Sequence, residues 1–201
     1  MIIVTGGAGF IGSAFVHKLN QHKITDILIV DNIAHTDKWK NLVPLHYTDY
    51  IHKDDFLAMV IDGDLDNVDA IFHLGACSST TETDMDYLMQ NNVEYSQILH
   101  QWAVENDIYF MYASSAATYG AERIHFDDSH DEISQLQPIN RYGYSKQLFD
   151  KYLQSNHLLD TCVGLKFFNV FGPNEYHKES MRSVICKAYD QICETGSVKL
   201  F

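Results

Sequence analysis

The sequence predicts an α/β fold with a doubly wound parallel sheet. Short apolar runs recur with helix-like stretches between them, and the first run ends in a glycine-rich turn that leads straight into a helical pattern. The strand candidates are residues 2–4, 27–31, 70–74, 109–115 and 163–168. Alternation of this kind builds a parallel sheet with helices on both faces.

Ile2-Ile3-Val4 reads as the first strand, and Thr5-Gly6-Gly7-Ala8-Gly9-Phe10-Ile11-Gly12 as the turn after it. Ile11, Ala14, Phe15 and Leu19 then share one helical face. Glycine permits positive φ and close approach of backbone to a ligand, while the free N–H groups of the new helix favour a phosphate. Gly7, Gly9 and Gly12 match the dinucleotide-binding fingerprint, and Gly6, Gly9 and Gly12 a closer three-residue spacing. The second run, Ile27-Leu28-Ile29-Val30, ends in Asp31, about 20 residues past the turn, where a carboxylate meets an adenosine ribose.

Val68 to Leu74 followed by Gly75-Ala76 reads as a central strand ending in a second close-approach turn. Asn91 to Asn106 carries Val93, Ile98, Leu99, Trp102 and Ala103 at amphipathic helical spacing. The strand at 109–115 leads into Ala113-Ser114-Ser115-Ala116-Ala117-Thr118-Tyr119-Gly120, with hydroxyls at its carboxyl end. Asp127 to Gln137 is polar and aperiodic and reads as a surface loop. In Tyr142-Gly143-Tyr144-Ser145-Lys146, the phenol and the ammonium lie one helical turn apart and face the same space. Lowering a phenol by ~3 units from its usual pKa of ~10 takes about 4 kcal/mol. An adjacent ammonium and a positive nicotinamide ring together supply charge of the right sign.

Bulk properties narrow the function. The 201 residues, 46% hydrophobic and 20% charged, suffice for one filled core and the start of a second domain. A formal charge of −13, from 14 Lys and Arg against 27 Asp and Glu, argues against nucleic acid as a partner. Small anions remain open, since a local lysine cluster outweighs distant charge within about 8–10 Å. Cys77, Cys162, Cys186 and Cys193 have no C-x-x-C spacing and read as reduced thiols. The histidines form no H-E-x-x-H or Cys/His knuckle, so no metal is assigned. Nothing resembles a secretory leader or a run of ~20 apolar residues, so the expectation is a cytoplasmic protein without a membrane partner.

The glycine turn, the strand-end serines and Tyr-x-x-x-Lys, in this order and separation, resemble the extended short-chain dehydrogenase/reductase family. The likeness covers essentially the whole chain. Cys77-Ser78-Ser79-Thr80-Thr81-Glu82 and His177-Lys178-Glu179-Ser180-Met181, with Phe168-Asn169-Val170-Phe171-Gly172-Pro173, resemble its heptose-nucleotide epimerases in particular. The resemblance implies a Rossmann-like domain over 1–175 that holds NADP, and the start of a substrate-binding portion over 176–201. The chain ends abruptly at Phe201, and most of a smaller C-terminal substrate domain is expected to be absent.

Roles follow from the resemblance position by position. Gly6, Gly9, Phe10, Ile11, Gly12, Asp31 and Asn32 would line the cofactor, Lys38 and Lys53 would meet its phosphates, and Leu74, Gly75, Ala76, Cys77, Ser78 and Asn91 would lie along its middle. Val170 and Lys178 would also touch it, and Lys146 would bind the nicotinamide ribose. Tyr142 would be one acid/base residue and Lys178 the other, on opposite faces of the sugar, with Ser115 bonded to the reacting oxygen. Asn169, Ser180, Lys187 and Phe201 would join Ser115 in contacting the substrate. Without the family, Lys38 and Lys53 read equally well as solvated charges, and Ser180 as a helix cap. Leu74 replaces a frequent Glu, and Lys187 a substrate-contacting His.

The implied activity is inversion at C6″ of an ADP-heptose through a 6″-ketone, in a homo-oligomer. The alternatives are another nucleotide-sugar epimerase of the 4-epimerase type, or an NADP-binding module without turnover. Ala116-Ala117-Thr118 offers no carboxylate for the elimination that related dehydratases perform.

Overall fold

The computed structural model describes residues 1–121 and 126–199. The elements run β1 (Ile2–Thr5), α1 (Phe10–Gln21), β2 (Ile27–Asp31), α2 (Trp39–Leu42), β3 (Asp49–His52), α3 (Lys53–Asp62), β4 (Ala70–His73) and α4 (Met85–Leu88). A π-helical segment (Met89–Glu94) continues into α5 (Tyr95–Glu105), and then come β5 (Tyr109–Ser115), α6 (Arg141–Ser155), β6 (Val163–Phe167) and α7 (Val184–Thr195). Short 3₁₀ turns over Ala116–Thr118, His130–Gln135, Leu159–Thr161 and Tyr176–Met181 complete the chain.

Among the described residues six strands form one parallel sheet in the order β3-β2-β1-β4-β5-β6. The chain builds outward from β1 to β3, then crosses back to place β4 on the other side of β1. That reversal opens a crevice at the carboxyl ends of β1 and β4, where ligands bind in such sheets.

Alternation along the strands explains the two layers. Ile3, Leu28, Val30, Ile71 and Phe110 pack against α3, α5 and α6 through Phe56, Leu99, Trp102, Phe149 and Leu153. Their neighbours Val4, Ile27 and Ile29 point the other way, onto Val16 of α1 and onto Leu42 and Leu45. Each layer buries its large side chains almost completely.

Three features depart from the sequence reading. Strand β3 was not among the candidates, because Asp49-Tyr50-Ile51-His52 is short, polar and only half-buried at the sheet edge. The stretch 127–137 is no plain surface loop. It winds into the 3₁₀ turn His130–Gln135 and buries Ile133 and Leu136 under α6, where Gln147 Nε2 donates to both of their carbonyls. In α1 the residues fully buried are Phe10, Gly12, Ser13 and Val16, while the predicted face of Ile11, Ala14, Phe15 and Leu19 is half-buried. The helix rolls so that Ile11 meets the crevice and Phe15 packs on Phe72, with ring centroids 4.4 Å apart.

No helix among the described residues is long and apolar enough to cross a membrane.

Candidate active site

Two turns meet where the sheet reverses. Gly6 has φ +66, and a Cβ there would come within 2.7 Å of Gly75 N, so the turns after β1 and β4 touch backbone to backbone. A Cβ on Gly12 would lie 2.1 Å from the Gly6 carbonyl, so the first turn of α1 tolerates no side chain at that point. No side chain caps α1, which leaves its first N–H groups for a ligand. Around them opens a cavity of about 430 Å³, lined by residues of both turns, by the end of β2, and by Lys38, Lys53, His177 and Lys178.

The turn at Gly75 is set by a buried chain of hydrogen bonds. Ser96 Oγ donates to the Asn92 carbonyl at 2.8 Å, so it accepts from His73 Nε2 at 2.9 Å. His73 Nδ1 then accepts from the Thr5 hydroxyl at 2.7 Å, and Thr5 Oγ1 accepts the Gly75 amide at 3.0 Å. Every donor points one way along this chain, which requires a neutral ring. Burial, with the Lys146 charge nearby, pushes the His73 pKa down to about 3. From the other side Asn92 grips Cys77, accepting its N–H at 2.8 Å and donating to its carbonyl at 3.0 Å, and reaches Ser145 of α6 at 2.9 Å.

At the adenosine end of the crevice, Asp31 is nearly saturated. Its Oδ2 accepts Ala8 N–H at 2.9 Å, and its Oδ1 accepts Asn32 N–H at 2.7 Å and the Lys38 ammonium at 2.6 Å. A carboxylate has about four acceptor positions, so little remains for a ribose diol. Lys53 lines the cavity while paired with Asp54.

Tyr142 and Lys146 lie on α6, which packs on β5, and with Ser115 they are not among the residues that line this cavity. Ser115 lies against the Tyr142 phenol, and its hydroxyl accepts Ala117 N–H at 3.1 Å. Burial and the Cys77 thiol raise the Tyr142 pKa, and the Ser115 bond offsets only part of that. Lys146 is not among the groups that act on the phenol here. Protein groups alone keep the phenol protonated, because desolvation outweighs them. Lys146 is 3% exposed. Burial brings its pKa down to about 8 against the opposing pull of Asp150.

The crevice gathers Gly6, Gly9, Phe10, Ile11, Gly12, Asp31, Asn32, Lys38, Lys53, Leu74, Gly75, Ala76, Cys77, Ser78, Asn91 and Lys178 around one cavity. The Lys178 ammonium stands 5.8 Å from the centre of the Phe10 ring. Val170 and Asn169 are exposed on the irregular segment after β6 and do not line the cavity. Ser180 is exposed, and its carbonyl accepts the Lys187 ammonium at 2.6 Å, so Lys187 is turned onto its own segment. The cap of α7 is Ser183, whose hydroxyl accepts Cys186 N–H, and Ser180 has no such role. Phe201 lies outside the described residues.

Sequence reasoning missed Thr5, Asn92 and Ser96, whose signal is geometric, and His177, which flanks Lys178 but resembles any surface histidine. It also missed Glu175, which accepts Gly172 N–H, Ser183 N–H and the Ser183 hydroxyl and so folds the segment bearing Lys178.

The arrangement fits a nicotinamide dinucleotide. The backbone cradle at Gly6 and Gly12, the uncapped start of α1 and the lysines that line the cavity are donors and space of the kind its phosphates and ribose require.

Comparison with known proteins points the same way. A family model described as the NAD dependent epimerase/dehydratase family matches residues 2–201. The chain is 56% identical over 202 residues to a Nitratidesulfovibrio vulgaris protein named ADP-L-glycero-D-manno-heptose-6-epimerase, with all of this chain and 62% of that one aligned. It is 50% identical over 205 residues to the Fusobacterium nucleatum protein of that name, with the same coverage of 100% and 62%. The crystal structure of the Helicobacter pylori protein of that name superposes with a TM-score of 0.85 at 30% identity, covering 100% of this chain and 65% of that one. The chain spans 62% of the length of the curated relatives it matches.

Proposed function

The chain belongs to the NAD dependent epimerase/dehydratase family, and from that premise we propose that it acts in epimerisation at C6″ of ADP-D-glycero-β-D-manno-heptose, with NADP as its cofactor. The observation that carries this reading is the placement of Tyr142 of α6 against Ser115 at the end of β5, next to the buried Lys146 side chain. The names of relatives at 48% to 56% identity support the heptose nucleotide as substrate.

Residues 6, 9–12, 31, 32 and 74–78 would hold the dinucleotide, with Lys38 and Lys53 toward its phosphates and Lys146 at a ribose. When bound, that group supplies the acceptor and donor of a hydride. Tyr142 takes up and returns the proton at the C6″ oxygen, and Ser115 fixes that oxygen. With the dinucleotide bound, the Lys146 charge one helical turn away and the positive nicotinamide ring together favour the phenolate form of Tyr142. Lys178 serves as the second acid/base group, because inversion requires protons to be handled on both faces of the sugar. The residues after the β5 strand end, Ala116 to Thr118, carry no acid for elimination, which favours epimerisation over dehydration.

Asp31 supports NADP over NAD. Its oxygens are already engaged by two N–H groups and an ammonium, which weakens it as a ribose ligand and neutralises its repulsion of a phosphate. We place the dinucleotide domain at 1–175, the start of the substrate-binding portion at 176–201, and the working enzyme in a homo-oligomer.

The test is to incubate the NADP-loaded chain with ADP-D-glycero-β-D-manno-heptose and follow the C6″ configuration by proton NMR. A chain that carries a complete substrate-binding portion is expected to give the L-glycero epimer, and residues 1–201 alone to bind nucleotide with little or no conversion. Retained cofactor without conversion in the longer chain would leave a binding module, and inversion at another carbon would displace C6″.

A further inference from the structure

The main chain of Ala8 ties together two groups that are far apart in sequence. Its N–H donates to Asp31, which pairs with Lys38 at 2.6 Å. Its carbonyl accepts Asn41 Nδ2 at 3.0 Å, and the same amide reaches His177 Nδ1 at 3.3 Å and the Asn174 carbonyl at 3.2 Å. Asn174 Nδ2 in turn donates to Ser13 Oγ of α1 at 3.0 Å. The segment carrying His177 and Lys178 is therefore pinned to the glycine turn, and both residues line the cavity that Lys38 lines.

Resting on the NADP reading above, we propose that His177 is a second basic contact for the 2′-phosphate, with Lys38, and that it takes up a proton from water when that phosphate docks. The charges that face the imidazole are Lys38 from the segment after β2, Lys178 from its own turn and Asp31 from the end of β2. Burial and the two ammonium groups hold the ring below its usual pKa, so at neutral pH it is uncharged in the protein alone. A phosphate dianion placed among these groups reverses the balance, because it offsets both lysines and favours the imidazolium. NAD brings no phosphate to this point. The imidazole is thereby a specificity device whose charge appears only with the correct cofactor.

The experiment is isothermal titration of the chain with NADP and with NAD at pH 7.5, in two buffers of different ionisation enthalpy, so that proton uptake is counted directly. The second pKa of a phosphate monoester is about 6, so the ligand itself exchanges few protons at this pH. His177→Asn keeps a polar group at the Nδ1 position for Asn41 but cannot ionise, and His177→Gln is the second variant should the first misfold. Unchanged NAD affinity in a variant reports an intact site.

The expected result is proton uptake by the wild type with NADP and none with NAD. In His177→Asn the uptake disappears and NADP affinity falls roughly tenfold, the scale of one charge-assisted contact. A wild type that prefers NADP, with uptake and affinity unchanged in both variants, would overturn the role of His177 alone. A wild type that binds both cofactors equally would overturn the NADP reading together with it.

Discussion

Lys146 carries a charge that the fold does little to satisfy. It is 3% exposed, and burial takes its pKa from the usual value near 10.5 down to about 8. For a cation whose native pKa lies below its unfolded one, the penalty is complete below about pH 8 and fades as pH rises toward ~10.4. Lys146→Met should therefore stabilise the cofactor-free chain at pH 7 by about 1–3 kcal/mol in urea unfolding, with the gain shrinking above pH 8, while nucleotide affinity falls. A variant less stable at pH 7 would show that the ammonium is compensated. The acid/base roles make a separate prediction. Tyr142→Phe and Lys178→Met should each lower turnover by roughly 10²–10⁴-fold in a steady-state assay while keeping NADP, the range for a positioned acid/base group. Near-normal turnover in Lys178→Met would reduce Lys178 to a phosphate contact. Tyr142 and Lys146 are legible in sequence because helical spacing alone puts them on one face. Thr5, His73 and Ser96 are not, since three ordinary polar residues from three elements become a proton-ordered chain only once β1, β4 and α5 are packed.

The π-helical segment shows what element-level patterning hides. Apolar spacing in 91–106 reads as one amphipathic α-helix, and α5 bears that out from Tyr95 onward. The widened turn over Met89–Glu94 instead sets Asn91 at the cavity and buries its neighbour Asn92 against Cys77. Asn92→Leu would strand both Cys77 backbone groups, with about 2–4 kcal/mol of stability lost in urea unfolding and NADP affinity reduced more than tenfold. An unchanged midpoint would mean that the turn after β4 holds without this clamp. The apolar strands β1 and β2 declare themselves by composition, whereas β3 is an edge strand whose Asp49 and His52 leave no hydrophobic run to notice. The 127–137 stretch misleads for a related reason, because two apolar anchors, Ile133 and Leu136, are enough to dock a polar segment on α6.

Across the molecule, a chain of net charge −13 gathers Lys38, Lys53 and Lys178 around one cavity at the sheet reversal. Alternation of strand and helix made the parallel sheet legible, but the reversal between β1 and β4 depends on long-range pairing that periodicity does not encode. The convergence of His177 and Lys178 on the glycine turn depends on it too. Lys38→Ala should weaken NADP at least tenfold more than NAD in a fluorescence titration, since it removes a phosphate contact and uncovers the Asp31 charge together. Equal losses for both cofactors would assign Lys38 to the shared pyrophosphate. Under the proposed function, the site would invert C6″ by removing and returning hydride, with Tyr142 and Lys178 handling protons on oxygen. C6″ has no adjacent carbonyl to acidify its C–H bond, so a carbanion route has no support from these residues. The most direct test is to run the epimerisation of ADP-D-glycero-β-D-manno-heptose in D₂O and read C6″ of the product by NMR or mass spectrometry. Product that keeps protium at C6″ is the predicted result, and stoichiometric deuterium there would contradict it.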